Sequence, residues 1–167
     1  KRFAVSARLT TLVNETPWPP LNTTRLTVDR IQSWLLPAVH RRLQTGHQFL
    51  GDLRPVTSVF IKFSGIDYDL DDAGYKLDTY ICWVQSILQQ YEGALITLTM
   101  GDKGSYLFAA FGAPHAHEDD VDRALMAALA LQKLPAALIY VESVQIGVTQ
   151  GQVWTGACGS KIRHDYT

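Results

Sequence analysis

Residues 95–114 constrain the fold of this chain more than any other stretch. They read Leu-Ile-Thr-Leu-Thr-Met-Gly-Asp-Lys-Gly-Ser-Tyr-Leu-Phe-Ala-Ala-Phe-Gly-Ala-Pro. Two apolar runs rich in Leu, Ile, Thr, Tyr and Phe flank Gly101-Asp102-Lys103-Gly104. Such runs, joined by a short Gly/Asp turn, predict a β-hairpin. The turn sets the carboxylate of Asp102 at the hairpin tip, where a rigid acid suits metal or phosphate chemistry. Asp-Lys-Gly is also ordinary turn chemistry in its own right.

A length of 167 residues predicts one domain with at most a small appendage. The formal net charge of -1 removes the electrostatic argument for nucleic acid or an anionic membrane as a generic partner. Cys82 and Cys158 lie far apart without CxxC spacing, so neither a zinc site nor a disulfide framework is suggested. Cys82 falls in an apolar helical stretch and is expected as a small core residue. Reduced, cytoplasmic residence is the default expectation. No apolar run is long enough to span a membrane, and the N-terminus has no basic-then-apolar signal pattern. The chain starts at Lys1 and stops at Thr167 just after an apparent strand, which suggests a piece of a longer polypeptide.

Residues 1–53 read as a linker arm and a kinked helix, and residues 54–167 as the main domain. Residues 3–13 suit a strand, and Pro17, Pro19 and Pro20 then break regular structure. Residues 27–43 predict a helix with Thr27 as N-cap and Ile31, Trp34, Leu35, Val39 and Leu43 along one face. Pro37 inside that pattern predicts a kink or two short helices, and Gly46 a stop. Residues 56–63, nearly all apolar or β-branched, predict a central strand covered on both faces. Lys62 is anomalous there and needs a partner or an exit to solvent.

Residues 64–72 form an acidic loop. Asp67, Asp69 and Asp71 alternate as in a calcium loop, but Asp72 stands at the sharp-turn glycine position and Asp78 at the closing glutamate position. The better reading is a solvated loop capping the next helix, over residues 73–91, with Gly93 ending it. His115, His117 and Glu118 raise the possibility of a metal cluster. Against it, they precede Asp119 and Asp120, which favour a helix N-terminus over residues 119–133. Residues 144–149 predict a strand, Gln150-Gly151 a turn, residues 152–157 a second strand and residues 163–167 the start of another. The order strand, helix, hairpin, helix, hairpin predicts an α+β fold of ferredoxin-like type, an antiparallel sheet with both helices on one face. Tyr106, Phe108, Phe111 and Trp154 are core residues by default, or parts of a dimer face.

Several of these features coincide in order and spacing. A Val-Thr-Ser-Val-Phe strand ends in Ser64-Gly65. The Gly-Asp hairpin runs into Phe-Ala-Ala-Phe-Gly-Ala-Pro. His-Glu-Asp-Asp opens a helix carrying Arg123-Ala-Leu-Met-Ala-Ala-Leu. Gln-Ile-Gly-Val-Thr-Gln-Gly, Gly-Ala-Cys-Gly and Arg-His-Asp-Tyr-Thr follow. Together they resemble the catalytic domain of the class III adenylate/guanylate cyclases over residues 54–167, and among these the second cyclase domain of soluble multidomain adenylyl cyclases.

The resemblance implies head-to-tail pairing with a second cyclase domain, upstream or in another copy, and ATP or GTP at the interface. It also implies two aspartates holding two magnesium or manganese ions. The metals would activate the ribose 3′-hydroxyl for in-line attack on the α-phosphate, with pyrophosphate leaving. Asp102 stands at the hairpin aspartate position. Lys62 stands at the first-strand aspartate position, two residues after Phe60, and Leu98 at the position of a base-reading lysine. Both are departures. The family's Asn and Arg helix would follow Thr167. The expectation is that Lys62 lies beside Asp102 and replaces a metal with its ammonium group, while the acidic loop opposes a triphosphate. The implied function is that of a cyclase-type domain of a larger signalling protein, one half of a paired site, inactive alone. The alternative is a non-catalytic pseudo-cyclase that regulates or dimerises.

Overall fold

The computed structural model describes residues 22–44, 51–101, 104–159 and 164–166, with positions 8, 11, 14, 16, 17, 19 and 20. It divides into two compact units, Lys1–Trp34 and Leu35–Thr167. Of the expected strand over residues 3–13 only positions 8 and 11 are described, neither in a strand, and the stop at Gly46 lies outside the described residues.

In the first unit a 3-10 turn at Thr23–Arg25 precedes helix α1, Val28–Gln32. Thr27 is its N-cap, as expected, and its hydroxyl accepts from Arg30 N at 3.4 Å. The second unit opens with helix α2, Pro37–Gln44. The stretch expected as one kinked or two short helices is therefore two. Proline suits the first turn of a helix, where its missing N–H is not needed, and disrupts the interior.

The main sheet holds β1 (Asp52–Ser64), β2 (Ala94–Gly101), β3 (Gly104–Phe111) and β4 (Ser143–Thr155) in the antiparallel order β2-β3-β1-β4. Helices α3 (Ala73–Gln90) and α4 (Asp120–Leu131) complete the strand-helix-strand-strand-helix-strand order of a ferredoxin-like α+β fold. A small separate pair joins β5 (Ala157–Gly159) to β6 (His164–Tyr166). Pro55 sits in β1 before the β3 register begins at Thr57, so its missing N–H falls where the strand has one neighbour only.

The core lies between one face of the sheet and the two helices. Val59, Ile61 and Phe63 of β1, Leu107, Ala109 and Phe111 of β3, Tyr80, Val84 and Leu88 of α3, and Ala124, Ala127 and Leu131 of α4 form one buried cluster. Spacings of three and four residues along α3 and α4 and of two along the strands put these side chains on one side of each element.

Four expectations are corrected here. β1 is central, but its burial alternates. Phe60 is 46% exposed and Lys62 is exposed, because the end of this face near the hairpin is open, whereas Val56 and Ala110 farther along it are buried. Lys62 thus has the exit to solvent that was one of its two expected outcomes. Cys82 is exposed, since the buried line of α3 runs through Tyr80, Val84 and Leu88 and turns position 82 outward. Gln150-Gly151 makes no turn, and β4 continues unbroken through both, paired to Thr57 and Val56. Of the aromatic residues expected in the core, Phe111 is fully buried, while Tyr106 and Phe108 are half-buried and Trp154 is 62% exposed.

Helix α3 ends with Glu92 in the left-handed region at φ 59. Gly93 N donates to Leu88 O at 2.8 Å and Glu92 N to Gln89 O at 3.1 Å, the paired bonds of a Schellman stop. Gly93 follows the left-handed residue and is required for another reason. A Cβ there would overlap the Phe111 ring.

Candidate functional site

The end of β1 and the β2–β3 hairpin meet on the open face of the sheet. The register pairs Lys62 with Tyr106 of β3 and with Gln145 of β4, and Gly101 with Gly104 across the hairpin turn. Asp102 and Lys103 lie outside the described residues, so the expected Lys62–Asp102 pairing does too. Lys62 does run toward the turn. A Cβ added at Gly104 would lie 3.5 Å from Lys62 Cε. Gly104 itself has φ 95, a left-handed conformation that favours glycine after the turn. Leu98 pairs with Leu107, on the helix-covered face, and is 36% exposed at the sheet edge.

Beside Lys62 on the same face, the rings of Phe60 and Phe108 stack with centroids 4.9 Å apart and planes 21° apart. A partly exposed aromatic stack and an exposed ammonium group therefore stand side by side on the face away from the helices. Sequence reasoning placed Phe108 in the core by default. The alternation of Phe60 and Lys62 against buried Val59, Ile61 and Phe63 was the signal that this face is open.

The loop after β1 is built tightly. Gly65 has φ 109, and a Cβ there would sit 2.6 Å from Glu142 N. Glu142 N donates to Ser64 O at 3.0 Å, and the hydroxyls of Ser64 and Ser143 lie 2.7 Å apart. In the acidic loop, Asp67 Oδ1 accepts from Asp69 N at 3.1 Å, and Asp72 pairs with Lys76 at 2.9 Å. Tyr68 ties the loop to β3 through the Ser105 hydroxyl at 2.6 Å. These carboxylates organise the loop and the start of α3. Among the described residues no group of three or more His, Cys, Asp or Glu side chains converges in a way that would hold a metal ion.

His115 and His117 diverge. His115 Nε2 accepts from Arg41 Nη2 at 2.7 Å. His117 faces Asp120 through Nδ1 at 3.2 Å and Glu92 through Nε2 at 3.4 Å, while its backbone N–H donates to Asp120 Oδ2 at 2.8 Å. Arg123 joins the same group, paired with Glu92 and donating to Asp119 at 2.6 Å. The Arg123 guanidinium bonded to Asp119 holds that carboxyl below the usual carboxylate range. This network links the end of α3 to the start of α4, so His117 serves the fold there.

No family model matches the chain. The chain is 31% identical over 121 residues to human adenylate cyclase type 10, and 30% identical over 121 residues to the mouse protein. In both cases the match covers 71% of this chain and 8% of the relative, so the chain spans a small part of those proteins' length. The chain contains a class III nucleotide cyclase domain. Solved cyclase domains share its fold. The adenylyl cyclase CyaB from P. aeruginosa superposes with a TM-score of 0.61 at 19% identity, over 71% of this chain and 66% of that one. The guanylate cyclase domain of RhGC from Catenaria anguillulae, solved in complex with GTP, superposes at 0.54 with 21% identity, over 68% and 64%. Among the described residues at the end of β1, Lys62 presents an exposed ammonium group, which does not suit the binding of a divalent metal ion.

Proposed function

We propose that this cyclase domain is the supporting half of a paired nucleotide cyclase site within a larger signalling protein. Residues 54–167 form the pairing domain and residues 1–53 a linker arm. The observation that carries the reading is the exposed Lys62 at the end of β1, two residues after Phe60, with its side chain directed along the hairpin toward the turn that holds Asp102. An ammonium group repels divalent cations and attracts phosphate oxygens. A chain with lysine there does not bind the two metals itself. It offers charge and an open sheet face to a partner domain that does.

Magnesium or manganese would then be held by the partner's carboxylates, with ATP or GTP at the interface. Asp102 is the one family metal position this chain retains. Lys62 would neutralise it. The stacked Phe60 and Phe108 would supply apolar contact to the partner.

The test is an assay of cyclic nucleotide formation from ATP and GTP with manganese. It compares this chain alone, a metal-competent cyclase domain alone, and the two mixed. The expected result is no product from this chain alone and product from the mixture above that of the competent domain. Asp102→Asn is expected to leave the mixture's activity intact.

The second reading is a pseudo-cyclase that binds and regulates without turnover. The paired departures at Lys62 and Leu98 favour it. A mixture that forms a complex but no additional product would establish it.

A further inference from the structure

Helix α4 packs one side on the sheet and leaves the other uncovered. Its buried residues Ala124, Ala127 and Leu131 join the core. At about 100° per residue, the opposite side carries Asp122, Leu125, Met126, Leu129 and, just past the last turn, Lys133. Leu125, Met126 and Leu129 are 46%, 52% and 55% exposed. Asp122 and Lys133 are exposed too, and neither is in an ion pair among the described residues. Lys133 keeps the helical course, because its backbone N–H donates to Ala130 O at 3.0 Å.

Asp122, Met126, Leu129 and Lys133 follow one another at steps of four, three and four residues. That is the spacing of a seam along which two helices pack. The middle of the seam is apolar and its two ends carry opposite charges. Such a pattern is its own complement about a two-fold axis. With two copies of α4 antiparallel and the axis between Ala127 and Ala128, Asp122 of each copy meets Lys133 of the other, and Met126 meets Leu129. A parallel arrangement would set Asp122 against Asp122 and Lys133 against Lys133. The antiparallel one also lays the positive start of one helix beside the negative end of the other.

We propose that the outer face of α4 is a self-association surface, on which a second copy of this chain docks antiparallel about a two-fold axis. This face lies on the helix side of the sheet. Phe60 and Lys62, on the far side, therefore stay open in both copies, and each copy can still receive a cyclase domain there. The 12 residues of α4 extend over about 18 Å. One face of that length covers well under the roughly 800 Å² per partner of a stable complex. The dimer is accordingly weak and reversible, with a Kd of about 10 µM to 1 mM.

The test is sedimentation velocity of the whole chain from about 5 µM to 1 mM. A reversible monomer–dimer equilibrium is expected. Asp122→Lys and Lys133→Glu are each expected to weaken it at least tenfold, because each puts like charges at both ends of the seam. Mixing these two variants is expected to restore a dimer, since every end contact again joins opposite charges. Leu129→Asp is expected to leave the chain monomeric, and Phe60→Ser to leave self-association unchanged. Four results would overturn the assignment. A chain that stays monomeric up to about 1 mM would give the stripe to a different partner. A dimer that survives Leu129→Asp, or one lost in Phe60→Ser, would lie on another face. A mixture of the two charge variants that associates no better than either alone would remove the antiparallel seam. The mixing experiment looks for a gain of association, which a misfolded variant could not supply.

Discussion

Two single residues carry sharp consequences for stability. Gly93 follows a left-handed Glu92, and a Cβ there would collide with the buried Phe111 ring. Gly93→Ala is expected to cost about 1–3 kcal/mol, because an overpacked core must shift a ring or a backbone segment. Chemical denaturation of the two proteins would measure it. Tyr80 is fully buried, and its hydroxyl finds no hydrogen-bond partner among the described residues. Tyr80→Phe is therefore expected to leave stability unchanged or raise it by up to about 1 kcal/mol. Burial also raises the Tyr80 phenol above its ordinary value. A raised folded pKa means a contribution fully present below the unfolded phenol value of about 10 and lost as pH rises from there toward the folded value. Denaturation midpoints between neutral pH and pH about 11 should fall for the native chain and fall less for Tyr80→Phe. At this scale Lys62 was legible in the sequence, because a lysine in a nearly continuous apolar run announces itself. Cys82 was not. The apolar face read from α3 was broad, and only the packed line through Tyr80, Val84 and Leu88 shows that position 82 points outward.

The elements were legible where their signal was local. The hairpin followed from two strand-like runs and a Gly-rich turn, and it forms with Gly101 opposite Gly104. Helix α3 followed from its apolar spacing, and α4 from the acidic residues Asp119 and Asp120 at its start. The Gln150-Gly151 turn was misread because glycine in a strand can mimic a turn signal. Here a Cβ at Gly151 would meet open space, and β4 runs straight through. The α3–α4 connection depends on contacts between side chains far apart in sequence. Arg123 reaches Glu92, 31 residues earlier. Arg123→Gln is expected to raise hydrogen-exchange rates selectively at the end of α3 and the start of α4, while the β1 amides stay protected.

At the scale of the whole molecule, one face of the sheet packs on α3 and α4, and the other presents Phe60, Phe108 and Lys62 toward the hairpin end. If that face receives a second cyclase domain, Phe60→Ser should weaken pairing at least tenfold while lowering the stability of the single domain by no more than about 1.5 kcal/mol. Sedimentation of the mixed domains, alongside thermal melts of this chain alone, separates the two effects. The order of the sheet has one more consequence, in time rather than energy. β1 is the first strand of the second unit to be synthesised, yet it lies between β3 and β4. The hydroxyls that close its far end, on Ser64 and Ser143, are 79 residues apart. Closing so long a loop must come before most of the native pairing of β1 with β4 can reward it, which slows folding relative to proteins built from local contacts. A ribosome extending this chain therefore exposes the apolar side chains of Val59, Ile61 and Phe63 long before the last neighbour of β1 exists. The interval is one in which a chaperone would find β1 open.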